Sequence, residues 1–138
     1  MATTLDTRTR ELLQAPNFCH VATLRRDGTP HVVPVWVDVD GDRVVLNSAQ
    51  GRAWPGNLDR DPRTTLTITN MANPYEYVTI RGRLAETSTN GAEEHIDFLS
   101  EKYLGEPAYP FRQAGDVRVK IYIEPDAVRR HGSSQGAE

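Results

Sequence analysis

Two Asp-Gly dipeptides, Asp27-Gly28 and Asp40-Gly41, stand between short apolar runs and constrain the fold more than any other feature. Asp-Gly supplies the positive φ angles that tight hairpin turns need. The segment from Phe18 to Arg63 therefore reads as three consecutive antiparallel strands, over 18–25, 30–39 and 43–48. With Asp40-Gly41 as a two-residue loop, Asp38 faces Arg43, Val37 faces Val44 and Trp36 faces Val45. Val35 then meets Leu46, and Pro34 meets Asn47. One face of this hairpin (Val33, Val35, Val37, Val44, Leu46) is a core face. The other (Pro34, Trp36, Val45, Asn47) is too apolar for bulk water and needs a cover: a partner subunit, a helix or a ligand. Pro34 withholds a ladder donor, which places its strand at an edge or a bulge.

The rest of the chain follows the same logic. Leu5, Leu12 and Leu13 share one face of a short helix over 4–14, closed by Pro16. Residues 49–62 read as a loop with one helical turn, and 63–71 as a strand. A long strand spans 75–86, through Val78, Ile80 and Leu84. Asn90 and Glu93 form a capping box for a helix over 91–104, ended by Gly105 and Pro107. Strict alternation marks 117–124 as a sixth strand, and the tail from about 129 is expected to fray. Strands that arrive as hairpins, with no G-x-G-x-x-G run, argue against a Rossmann fold. They predict an α+β domain around a mainly antiparallel six-stranded β-barrel with short flanking helices.

Composition narrows the function. A chain of 138 residues is expected to be a single domain over 1–138. Its 38% hydrophobic and 25% charged content argues against disorder. A net charge of -3 gives no nucleic-acid footprint. Cys19 is alone, so no internal disulfide forms, and in a strand it reads as a small apolar residue. The polar N-terminus suggests no leader, and no apolar run approaches the roughly 20 residues of a membrane span. A cytoplasmic location is the expectation. His20, His31, His95 and His131 make no metal-ligand spacing, so no metal is expected. No nucleophile elbow or Cys-His signature is present, and no catalytic side chain is assigned.

The loop after the third strand offers binding chemistry instead. Gly51 frees the backbone and Arg52 follows, with a guanidinium fork suited to phosphate oxygens. Ser48 and Asn57 add polar groups, and exposed backbone amides at a helical turn favour anions.

Three segments carry a resemblance. They are the hairpin Thr23-Leu24-Arg25 through Asp27-Gly28, Pro30-His31 and Pro34-Val35-Trp36, the run Asn57-Leu58-Asp59-Arg60-Asp61-Pro62-Arg63, and Arg81-Gly82-Arg83. Over residues 8–125 the chain resembles the pyridoxamine-phosphate-oxidase-like split β-barrel proteins, in particular the flavin/deazaflavin oxidoreductases that use coenzyme F420. The resemblance implies a split barrel and a homodimer with cofactor sites at the interface. It implies that Pro34, Val35, Trp36 and Val37 line the cofactor ring. Asn47, Ser48 and Arg52 would face the ribityl chain and phosphate, with Asn57 supporting the loop. Tyr75, Tyr77 and Arg112 are candidates from the opposite subunit. Relatives often carry lysine just after the loop arginine, where this chain has Ala53-Trp54-Pro55-Gly56. The phosphate grip then rests on Arg52, and the Trp54 indole shapes the pocket. The implied activity is hydride transfer from reduced F420 to a conjugated small molecule. An FMN oxidoreductase, or a non-enzymatic cofactor- or haem-binding protein of the same fold, are the alternatives.

Overall fold

The computed structural model describes residues 3–132. Helix α1 (Thr7–Gln14) is capped by Asp6, whose side chain accepts from the Thr9 amide, and it buries Leu12 and Leu13. Strand β1 (Cys19–Leu24) turns into β2 (Pro30–Val35). The turn holds three residues rather than two: the Gly28 amide donates to Arg25 and the Arg25 amide to Thr29, both at 2.9 Å. Gly28 takes φ 86°, the left-handed residue that closes such a loop.

The strand expected over 30–39 is two strands. Strand β2 pairs with β1, whereas β3 (Asp38–Asp40) pairs with β4 (Arg43–Ala49). Trp36 and Val37 form the joint between them. The expected register also differs, because Asp40 faces Arg43 and Val39 faces Val44. The two-residue loop is thus Gly41-Asp42. Asp42 is anchored from outside the hairpin: its carboxylate accepts from the Leu5 amide at 2.9 Å and from Arg10 at 2.6 Å. Arg43 pairs with Glu86 at 2.6 Å instead of Asp38.

Helix α2 (Ala53–Arg60) fills most of the expected loop. Pro55 is harmless there because its position in the first turn has no intrahelical partner for an amide hydrogen. Strands β5 (Arg63–Thr69) and β6 (Tyr77–Ser88) follow. Helix α3 (Ala92–Leu104) starts at Gly91 in the left-handed region, without a side-chain cap, so the Asn90 capping box does not form. It ends at Gly105 as expected, with φ 73°. Strand β7 (Arg118–His131) is longer than the sixth strand expected over 117–124. Arg129 to His131, expected to fray, pair with Thr79 to Tyr77. The tail beyond 132 lies outside the described residues.

All seven strands join one antiparallel sheet in the order β2-β1-β5-β6-β7-β4-β3. Its two edges, β2 and β3, are consecutive in the chain, so the sheet curls into a barrel that the joint at Trp36-Val37 ties shut. Pro30 and Pro34 lie in the edge strand β2, where a missing amide hydrogen costs nothing. The interior is filled by fully buried Val21, Val37, Leu46, Leu66, Ile80 and Ile121, among others. No helix of the described residues is long and apolar enough to cross a membrane.

Candidate functional site

The joint between β2 and β3 belongs to neither ladder, so its backbone groups need other partners. Helix α3 supplies those of Val37. The Tyr103 hydroxyl accepts from the Val37 amide at 2.9 Å and donates to Asn17 O at 2.7 Å. Lys102 Nζ donates to Val37 O at 2.6 Å and to Leu13 O at 2.7 Å. Burial pushes the Lys102 ammonium down to about 8, with Asp38 pulling the other way. Burial also pushes the Tyr103 phenol up. Trp36 stacks on Tyr103 at 5.1 Å, and Tyr109 meets its edge at 5.8 Å. The cover that the second hairpin face requires is therefore α3 and the segment after it.

Beside this joint the barrel opens into a cavity of about 230 Å³. Seven residues expected from the sequence line it: Pro34, Val35, Trp36, Asn47, Ser48, Arg52 and Trp54. Arg52 also lines a second cavity of about 430 Å³ with Gly51, Leu84 and Val119, so it stands at the rim of both. Gly51, at φ 90°, lets the chain leave β4 and enter α2 there. The Arg52 side chain is 49% exposed, and its nearest acid, Asp116, is 3.8 Å away.

The other candidates lie elsewhere. Val37 points into the core and is fully buried. Asn57 ties α2 to β1, donating to Thr23 Oγ1 at 3.1 Å and accepting from Arg60 at 3.2 Å. Tyr75 is exposed, and Tyr77 stacks on His131 at 4.6 Å. Neither tyrosine reaches the cavity within one chain. Arg112 is occupied by Glu93 and Asp97, both at 2.5 Å on α3.

Sequence reasoning missed a polar chain behind the cavity. Arg118 Nε donates to Asn47 Oδ1 at 3.0 Å. Asn47 Nδ2 donates to Ala92 O at 3.0 Å and to His95 Nδ1 at 3.1 Å. His95 Nε2 then carries the hydrogen and donates to Asp38 at 3.0 Å. Burial alone would raise the Asp38 carboxyl, but His95, the Val39 amide and Lys102 together hold it below its ordinary value. Both amide hydrogens of Asn47 are spent in this chain, so Asn47 positions its neighbours. The one available signal was Arg118 itself, a charge that alternation places on the same sheet face as Asn47 and Ala49. Cys19 is fully buried, and burial pushes its thiol up, so no thiolate is available for chemistry. Among the described residues no group of three or more His, Cys, Asp or Glu gathers as for a metal ion.

An antiparallel sheet whose edges meet at a joint, with an arginine-rimmed cavity beside it, defines a split β-barrel. The model of the family described as pyridoxamine 5′-phosphate oxidase matches residues 5–132. This chain belongs to that family. It is similar to the structure of an F420 reductase, with 27% identity, a TM-score of 0.77, and coverage of 87% of this chain and 94% of that one. It is also similar to a conserved hypothetical protein of Mycobacterium tuberculosis (19% identity, TM-score 0.73, coverage 94% and 85%). HupZ of Group A Streptococcus is a third likeness (17% identity, TM-score 0.67, coverage 97% and 98%). At these identities the last two speak for the fold alone. No curated protein matches the chain.

Proposed function

We propose that this protein is an oxidoreductase that binds coenzyme F420 at the seam of the barrel and reduces a conjugated organic molecule. It works as a cytoplasmic homodimer with the cofactor at the interface. The observation that carries this reading is the convergence on one cavity of six residues implied by the resemblance, joined by Trp54, with Arg52 at its lip. The likeness to an F420 reductase supports it.

The residues present fit both ends of such a cofactor. Pro34 to Trp36 offer a flat wall, held rigid by the stack of Trp36 on Tyr103. Arg52 is half-exposed, and its long contact to Asp116 leaves its fork available to an anionic tail. Helix α2 begins beside it with no side-chain cap and no acid in its first turn, an arrangement that favours a negative group. When bound, the reduced cofactor supplies a hydride for one carbon of the acceptor's C=C bond, and solvent supplies a proton to the other. The chain's own part is to orient the ring and hold the tail. The cavity of about 230 Å³ is smaller than the roughly 300 Å³ at which ordinary ligand sites begin. A second copy, contributing Tyr75 or Tyr77, would enlarge it.

The test is a fluorescence titration with F420 and FMN side by side. F420 is expected to bind the more tightly, and Arg52→Ala to weaken it about tenfold or more, the loss of one hydrogen bond to a charged group. Tighter FMN binding would favour the flavin alternative, and no binding of either would overturn the reading. Light scattering at micromolar concentration is expected to report twice the chain mass. A stable monomer that still binds cofactor would remove the interface from the proposal.

A further inference from the structure

One buried cation beside the cavity makes no ion pair among the described residues, although Asp116 and Glu93 attract it at longer range. Arg118 is 5% exposed and lines the seam cavity. Its Nε is spent on Asn47, but Nη1 is buried without a hydrogen-bond partner among the described residues. Leaving a buried charged donor unpaired is costly, so such a group marks a place that something else fills. The surrounding charge points to an anion. Arg52 shares the cavity, and the acids near the two guanidinium groups are Asp116, 3.8 Å from Arg52 with Oδ2 buried and without a hydrogen-bond partner among the described residues, and Glu93, which is already paired with Arg112. The rest of the lining near Arg118 is flat and apolar. The Tyr109 ring lies 5.2 Å from the guanidinium carbon, Trp36 stands edge-on to Tyr109, and Ile96 and Leu99 close the side. The guanidinium is also held in place in advance, because Asn47 is itself fixed by Ala92 O and by His95 on Asp38.

We infer that this corner of the cavity is a carboxylate subsite, in which Arg118 holds the anionic group of an aromatic or conjugated carboxylic acid lying against Tyr109. The inference rests on the cavity being the reaction site proposed above, and it names the class of acceptor: an unsaturated carboxylate. A planar carboxylate matches a guanidinium fork. Arg52 is left for the cofactor's tail.

Benzoate is a suitable probe because it has the shape and charge of the acceptor class without an isolated double bond to reduce. Its neutral counterpart is benzamide. Both are titrated into the purified full chain and followed by tryptophan fluorescence, since Trp36 and Trp54 both line the cavity. Benzoate is expected to bind at least about tenfold more tightly than benzamide, as loss of a charge-assisted pair predicts. Arg118→Met is expected to abolish that preference, and Arg118→Lys to retain part of it. Equal binding of the two probes by the unaltered protein would overturn the subsite, with no variant needed. So would displacement of benzoate by inorganic phosphate at lower concentration, which would give Arg118 to a phosphate. The cofactor titration separates the two readings. F420 binding without a benzoate preference sinks the subsite alone, and a benzoate preference without cofactor binding sinks the functional proposal alone.

Discussion

Gly82→Ala is expected to destabilise the protein by about 3 kcal/mol, at the upper end of what overpacking costs. Gly82 lies in β6 where the ladder with β7 shifts: Arg81 faces Ala127, but Gly82 faces Pro125, leaving Asp126 as an extra residue. A Cβ on Gly82 would stand 2.4 Å from the backbone oxygen of Glu124 and 3.1 Å from Ile123 Cγ2. The obstructing atom is backbone in the longest strand pair of the sheet, so no rotamer change relieves it. The bulge cannot drift either, because Asp126 and Glu124 both pair with Arg83, and Asp126 O accepts from Thr3 Oγ1 at 2.9 Å. Gly56→Ala is the matched control. Its Cβ would meet nothing within 4 Å, and it sits in helix α2, where alanine is the better helix former. Urea unfolding of the two variants should therefore move in opposite directions. A Gly82→Ala loss below about 1 kcal/mol would mean that the bulge relaxes more freely than its ion pairs suggest.

Lys102 is expected to make stability rise with pH. Its ammonium is pushed down to about 8 in the folded chain, chiefly by burial, against an ordinary 10.5. Between those values the unfolded chain binds more protons than the folded one, so unfolding becomes harder as pH increases. Below about 8 the buried charge is present and its full desolvation cost is felt. Above about 10.5 both states are neutral and the cost is gone. The difference between these limits is about 3 kcal/mol, from 1.36 kcal/mol per unit. Comparing Lys102→Met with the unaltered protein by urea unfolding at pH 7.5, 9 and 10.5 isolates this contribution, because every other titrating group is shared. The gap between the two proteins should change in favour of the lysine as pH rises. A gap that stays constant would show that Lys102 is solvated enough to titrate normally.

The barrel was legible because strand alternation and Gly-bearing turns are local signals. The positions of α1, β4, β5 and the end of α3 follow from them directly. The break at Trp36-Val37 was not legible, since the apolar alternation through Val33, Val35 and Val37 runs on without interruption. What divides that strand is a tyrosine and a lysine 66 and 65 residues further along the chain. The hairpin register failed for the same kind of reason, because the Asp42 carboxylate answers to Leu5 and Arg10 rather than to its own turn. Helix α2 runs past the single helical turn expected within 49–62, because proline at the third helical position displaces no hydrogen bond. The candidate site divides in the same way. Pro34 to Trp36, Asn47, Ser48, Arg52 and Trp54, on neighbouring segments of the chain, line one cavity. Arg118, His95 and Asp38 become neighbours only once β7 and α3 close over β4.

That closure sets an order of assembly. Strand β4 pairs on one side only with the three-residue β3, and its other neighbour β7 is the last of the seven strands in chain order. The clasp on the joint waits for residues 102 and 103 in the same way. A nascent chain can form the β1-β2 hairpin and the β5-β6 pair while still tethered. The rim that would receive a ligand is sewn up only when β7 and α3 have joined them.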